Sequence, residues 1–156
     1  MSITQQWQLQ SSNQTDTFKL AASIGEHVRG GEIIELVGDL GAGKTAFVQG
    51  LASGMGSTDQ VTSPTFTISN QYQTQLLTLY HFDFYRLGAA GIMTEELAES
   101  MEDPQAVTVI EWAGLVENQL PQQRLVISIK VVNELSRSFT ITGPASLSYL
   151  LEGVQV

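Results

Sequence analysis

The stretch Glu32-Ile33-Ile34-Glu35-Leu36-Val37, running directly into Gly38-Asp39-Leu40-Gly41-Ala42-Gly43-Lys44-Thr45, constrains the fold of this chain more than any other segment. A mostly apolar run of this length reads as a strand covered on both faces, the kind found in parallel sheets. Beyond the glycines, Phe47, Val48 and Leu51 recur at helical spacing from Lys44 to about Ser53, and Gly54 and Gly56 supply a stop. A buried strand entering a helix through a glycine-rich turn matches G-x-x-x-x-G-K-[ST], the Walker A pattern, in the setting its mechanism requires.

Each residue type there has a physical reason. Glycines at 38, 41 and 43 permit backbone angles that a side chain forbids, so successive N–H groups converge at a helix N-terminus and form a nest for phosphate oxygens. Lys44 has the reach to touch β and γ phosphates, and the Thr45 hydroxyl suits a Mg2+ ion that bridges them. The implied ligand is a nucleoside triphosphate with magnesium, held by Gly38, Asp39, Leu40, Gly41, Ala42, Gly43, Lys44 and Thr45.

Around this unit, Trp7 and Leu9 alternate with glutamines as a short edge strand does, and Ser11 to Asp16 offers N-cap oxygens. A first helix follows, with Phe18, Ala21, Ile24 and Val28 on its expected buried face and Gly30-Gly31 as its expected stop. Further strands are expected over Thr65 to Asn70, Leu76 to Asp83, Val107 to Glu111, Leu125 to Val132 and Ser138 to Thr142. Helices over Thr94 to Met101 and Pro144 to Leu151 interrupt them. No repeat, linker or shift in composition divides the chain, so residues 1–156 are expected to form a single domain. The fold class is α/β, a P-loop NTPase domain with a mixed β-sheet flanked by helices.

Composition narrows the function. Seven basic against sixteen acidic side chains leave a net charge of −9, which disfavours direct binding to nucleic acid, whose phosphates are met chiefly by Lys and Arg. A triphosphate is still acceptable, because only the local donors, Lys44 and a cation need be positive. With no cysteine, disulfides, thiolate nucleophiles and sulfur-bound zinc are excluded, and a reducing compartment is the simplest home. No basic-then-apolar leader and no run near the ~20 apolar residues that cross a bilayer occurs, so a cytoplasmic location without membrane contact is expected.

Hydrolysis requires groups beyond the loop. Val107 to Glu111 is an apolar strand ending in a carboxylate, the Walker B position if it lies beside Glu32 to Val37; Glu111 could then hold Mg2+ directly or through water. In His81-Phe82-Asp83-Phe84-Tyr85-Arg86, spacing of two puts His81 and Asp83 on one face of an extended segment. Asp83 is a second acid for metal or water, His81 reads as a packed, hydrogen-bonded histidine, and Arg86 either pairs Asp83 or braces the site. Ser63-Pro64-Thr65-Phe66, after a polar loop, is similar to a switch segment in which the Thr65 hydroxyl approaches Mg2+ or the γ-phosphate.

The ordered set GDLGAGKT, SPTFT, HFDFYRL and IEW resembles the TsaE (YjeE) family of small P-loop ATPases, from the Thr17-Phe18 helix start to the strand at Leu125. The resemblance implies an ATPase acting in bacterial synthesis of the threonylcarbamoyladenosine modification of tRNAs that read ANN codons. Its implied partners are TsaB and TsaD, TsaD being the transferase, with ATP hydrolysis resetting that complex between turnovers; a site completed by partners lacks some positioning groups when isolated, so slow hydrolysis is expected of the protein alone. By family analogy Lys44 and Thr45 serve phosphate and Mg2+, Glu111 the metal, and Thr65 and Asp83 hydrolysis. Trp112 belongs to the same motif as Glu111, and Thr15 lines the nucleotide. Ala46 departs from a threonine common in the family, leaving its backbone N–H but not a side-chain contact to the α-phosphate. The stretch Gly88 to Met93 lacks the acid-rich start expected after Tyr-Arg-Leu; the acids come later as Glu95, Glu96, Glu99, Glu102 and Asp103, the pattern of a solvated helix face.

Three other functions compete. A GTP switch lacks its guanine motif, since none of Lys19, Lys44 and Lys130 sits in [NT]KxD. A small P-loop kinase needs a lid with several arginines, whereas Arg29, Arg86, Arg124 and Arg137 are scattered. A nucleotide-gated protein-binding module would need ATP for its shape and no hydrolysis.

Overall fold

A computed structural model describes residues 3–39, 41–61, 69–84 and 94–154, the side chain of Leu115 excepted. Strands β1 (Thr4–Ser11), β2 (Ile33–Val37), β3 (Ser69–Gln73), β4 (Thr78–Asp83), β5 (Ala106–Glu111), β6 (Leu125–Val131) and β7 (Arg137–Pro144) form one sheet in the order β1-β7-β6-β2-β5-β4-β3. The middle four, β6, β2, β5 and β4, run parallel, while β7, β1 and β3 pair antiparallel on the flanks. The α/β class with a mixed sheet is the observed architecture, and among the described residues no helix is long and apolar enough to cross a membrane.

Parallel strands are covered on both faces, and β5 is buried at every residue. On one face lie α1 (Gln14–Gly25) and α2 (Lys44–Gly54), packed on Ile34, Leu36, Val107, Val109 and Ile127. On the other, α3 (Thr94–Glu102) and two short 3-10 turns over Ala113–Leu115 and Glu117–Gln119 cover Ile33, Phe82 and Ile110. Alternation along β4 and β5 therefore sends His81, Asp83 and Glu111 to the face of α1 and α2.

The first helix differs from the expected one. Asn13 caps it by accepting a hydrogen bond of 2.8 Å from the Asp16 N–H, but its buried face is Thr17, Leu20, Ala21 and Ile24, and Phe18 is 37% exposed. The cause is the closeness of α1 to α2: a Cβ on Gly50 would stand 2.3 Å from the Phe18 carbonyl oxygen, and one on Gly54 2.0 Å from that of Ala22. Backbones this near leave no room for a ring between them, so Phe18 is pushed to the edge. The helix ends at Gly25, where a Cβ would meet the Leu51 carbonyl at 2.3 Å, and Gly30 and Gly31 shape the turn into β2 instead. Val28 lies beyond the helix and packs on the core from there.

Smaller differences concern boundaries. The strand expected from Leu76 starts at Thr78, and Leu76 is 82% exposed in the preceding turn. The expected strand over Thr65 to Asn70 meets β3 only at its last two residues; 65–68 lie outside the described residues. The last helix is a 3-10 helix over Ala145–Leu151, with Pro144 ending β7.

Candidate functional site

The glycine-rich turn leaves the carboxyl end of β2, where open parallel sheets bind their ligands. Gly38 passes so near β6 that a Cβ would meet the Ile129 carbonyl oxygen at 3.0 Å and the Ala42 Cβ at 3.2 Å. Gly43, with φ 107° and ψ 19°, begins α2 without a side-chain cap, so the first N–H groups of that helix are turned toward the loop. Ala42 N–H bonds the Asp39 carbonyl at 3.0 Å and Phe47 N–H the Gly43 carbonyl at 3.0 Å; Leu40 lies outside the described residues.

Lys44 is 6% exposed, and its ammonium sits at the centre of the site. It donates to the Gly38 carbonyl at 2.8 Å, lies 3.5 Å from Glu111 Oε1 and stands 4.3 Å from the centre of the Trp112 ring. Glu111 comes from the end of β5, which does lie beside β2: in register it neighbours Leu36 on one side and Asp83 on the other. Its second oxygen, Oε2, accepts a hydrogen bond from His81 Nε2. Asp83 is buried on the same face, and Thr45 is half-buried in the first turn of α2. Trp112, directly after Glu111, has φ 56° and ψ 51°, the only positive φ outside glycine among the described residues. Such a conformation costs about 1–3 kcal/mol and persists where its surroundings enforce it, here a ring laid over the lysine.

Beside the loop opens a cavity of about 270 Å³, lined among others by Gln14, Thr17, Gly43, Ala46, Leu135 and Arg137. Thr15, the residue expected to line the nucleotide, is exposed and does not line this cavity; its neighbours one place before and two places after do. Arg137 was not singled out by the sequence. Its Nε donates to the Ala42 carbonyl at 2.9 Å and one terminal nitrogen bonds the Asn133 carbonyl at 2.9 Å, so one guanidinium braces both the loop and the β6–β7 turn. Only the adjacency of β7, β6 and β2 brings it there. Thr65 and Arg86 lie outside the described residues.

The arrangement offers a polyanion main-chain donors, one ammonium and a guanidinium-braced loop in a chain that is otherwise acidic. Among the described residues no group of three or more His, Cys, Asp or Glu is placed to hold a metal by itself. A cation at Thr45 and Glu111 would draw its other oxygens from the ligand and water, which is how magnesium is ordinarily bound beside phosphates.

A mixed sheet whose central strands run parallel, with this loop at the carboxyl end of one and a carboxylate at the end of the next, defines a P-loop NTPase fold. The family model described as "Threonylcarbamoyl adenosine biosynthesis protein TsaE" matches residues 11–139. The chain belongs to the TsaE family. A Bacillus subtilis (strain 168) protein named tRNA threonylcarbamoyladenosine biosynthesis protein TsaE is 42% identical over 131 residues, spanning 83% of this chain and 81% of its own length. The Treponema pallidum (strain Nichols) protein of that name is 37% identical, over 84% of this chain and 96% of its own. The crystal structure of Bacillus subtilus YdiB matches with a TM-score of 0.75 and 33% identity, covering 99% of this chain and 97% of that one.

Proposed function

We propose that this chain is a magnesium-dependent ATPase required for the threonylcarbamoyladenosine modification of tRNAs reading ANN codons, acting through ATP hydrolysis on a complex of TsaB and TsaD. The observation that carries the reading is Lys44 Nζ, buried at the uncapped start of α2 between the Gly38 carbonyl and Glu111. No packing role requires an ammonium there, whereas a β- or γ-phosphate does.

A triphosphate entering the loop takes the N–H groups at the start of α2 and draws Lys44 away from the Gly38 carbonyl. The Ala46 N–H serves the α-phosphate, and the cavity beside Gln14, Leu135 and Arg137 receives the nucleoside. Thr45 and Glu111 would hold Mg2+, which when bound neutralises charge between the terminal phosphates. Asp83, next to Glu111 on β4, orients the attacking water together with Thr65, and the Trp112 ring shields Lys44 from solvent. Hydrolysis is slow in the isolated protein because partner subunits complete the positioning of these groups.

The test is reconstitution of tRNA modification with TsaB and TsaD over many turnovers. Wild-type protein is expected to sustain repeated turnover and Lys44→Ala to stop with the first; equal product with either protein, or with neither, overturns the reading.

A further inference from the structure

His81 lies in β4, fully buried, opposite Val109 in register and on the sheet face shared with Leu79 and Val107. Positions with such neighbours are ordinarily aliphatic. Its Nε2 bonds Oε2 of Glu111, and its Nδ1 has no hydrogen-bond partner among the described residues. A carboxylate oxygen only accepts, so Nε2 is the donor and Nδ1 is left unmatched among the described residues. An unmatched buried nitrogen destabilises a fold, and packing alone therefore does not account for a histidine here.

Its consequence is at Glu111, whose two oxygens are divided between different partners. Oε2 is held by His81, and Oε1 faces Lys44 Nζ at 3.5 Å. Without the imidazole, the carboxylate is free to turn about its terminal torsion and give both oxygens to Lys44. We infer that His81 is a positioning residue: its Nε2–H locks the Glu111 carboxylate with one oxygen turned toward the phosphate loop, ready for a divalent cation. The inference rests on the reading of Glu111 as a metal-holding residue. It adds to that reading a buried partner that sets the orientation of the ligand, an arrangement whose loss in metal sites typically lowers metal affinity by about 10–100-fold.

The experiment uses Mn2+ in place of Mg2+, titrated into the full chain saturated with ADP, with free Mn2+ read by electron paramagnetic resonance. His81→Phe fills the space without a donor, His81→Leu repeats the test should the phenylalanine variant fail to unfold cooperatively, and His81→Gln keeps an N–H at similar reach. The donor-free variants are expected to weaken Mn2+ binding by about 10–100-fold. Their ADP affinity in EDTA, measured by calorimetry, stays within about threefold of wild type, because the main-chain donors are untouched. His81→Gln recovers most of the Mn2+ affinity. Unchanged Mn2+ affinity in the donor-free variants overturns the inference, as does an equal fall in EDTA or no recovery by glutamine, both of which mark a packing role. Glu111→Gln is run alongside. Should it leave Mn2+ affinity intact, the metal reading of Glu111 fails and takes this inference with it; should it alone lose Mn2+, only the role of His81 fails.

Discussion

Replacing Glu111 by Gln removes a charge from a buried carboxylate with almost no change of shape, and the outcome has opposite signs with and without ligand. Among the described residues, Lys44 of the free variant would keep the Gly38 carbonyl at 2.8 Å and the Trp112 ring at 4.3 Å. For charges 3.5 Å apart in a medium of effective dielectric about 20, the lost attraction is about 5 kcal/mol. Removing one member of a buried pair typically costs about 3–5 kcal/mol, so ~3 kcal/mol is a fair expectation. At about 2–4 °C per kcal/mol for a chain of this size, the unfolding midpoint falls by roughly 6–12 °C. A polyphosphate in the loop supplies the counter-charge that the variant lacks and no longer competes with Glu111 for the ammonium. Affinity for ADP in EDTA therefore rises, about tenfold if ~1.4 kcal/mol of the loss is recovered. Scanning calorimetry and isothermal titration read both effects. A variant with the wild-type midpoint and the wild-type ADP affinity refutes the pairing of Lys44 with Glu111 and the reasoning built on it.

Gly43→Ala places a side chain at φ 107°, where the added Cβ meets Arg137 Nε at an ordinary contact distance of 3.9 Å but the backbone is strained by about 1–2 kcal/mol. The free loop already holds this angle, so the strain falls on the fold: urea unfolding is expected to show a loss of about 1–2 kcal/mol, and unchanged stability would show that Gly43 does not hold it. Asp83→Asn should stop hydrolysis and halt tRNA modification after one turnover; sustained turnover without hydrolysis would favour a nucleotide-gated binding module. Tyr149 donates to Glu32 at 2.5 Å, and burial, then the hydrogen bond to Glu32, push its hydroxyl pKa upward. The unfolded tyrosine releases its proton near pH ~10, before the folded one, so this contribution is complete below that pH and is lost as pH rises beyond it. Urea unfolding should show wild-type stability falling between about pH 9 and 11 more steeply than that of Tyr149→Phe, and parallel curves would remove the Glu32 bond from the account.

The strand, loop and helix from Glu32 to Gly54 were legible because every local signal agrees there: apolar run, three glycines and helical spacing. Glu111 was legible as a strand-end acid, and the β2–β5 register supplies the neighbour it needed. Phe18 departs from its expected place because helical periodicity reports apolar residues and not how near the next helix comes; glycines 25, 50 and 54 decide that spacing, and they lie on two elements. Arg137 and Leu135 carry no local signal, since the β6–β7 turn reaches the loop only through sheet order, 95 residues from Ala42. The sequence alone reads His81 as a hydrogen-bonded histidine, but its partner 30 residues away follows only from the parallel register of β4 and β5.

If residues 38 to 46 hold the phosphates of ATP, their N–H groups meet phosphate oxygens once nucleotide is bound. A crystal structure of the chain with magnesium and a non-hydrolysable ATP analogue shows whether they do. Phosphate oxygens are expected on the N–H groups at the start of α2, with Lys44 Nζ moved from the Gly38 carbonyl onto the β- and γ-phosphates. Analogue bound elsewhere, with Lys44 still on the Gly38 carbonyl and beside Glu111, contradicts that placement.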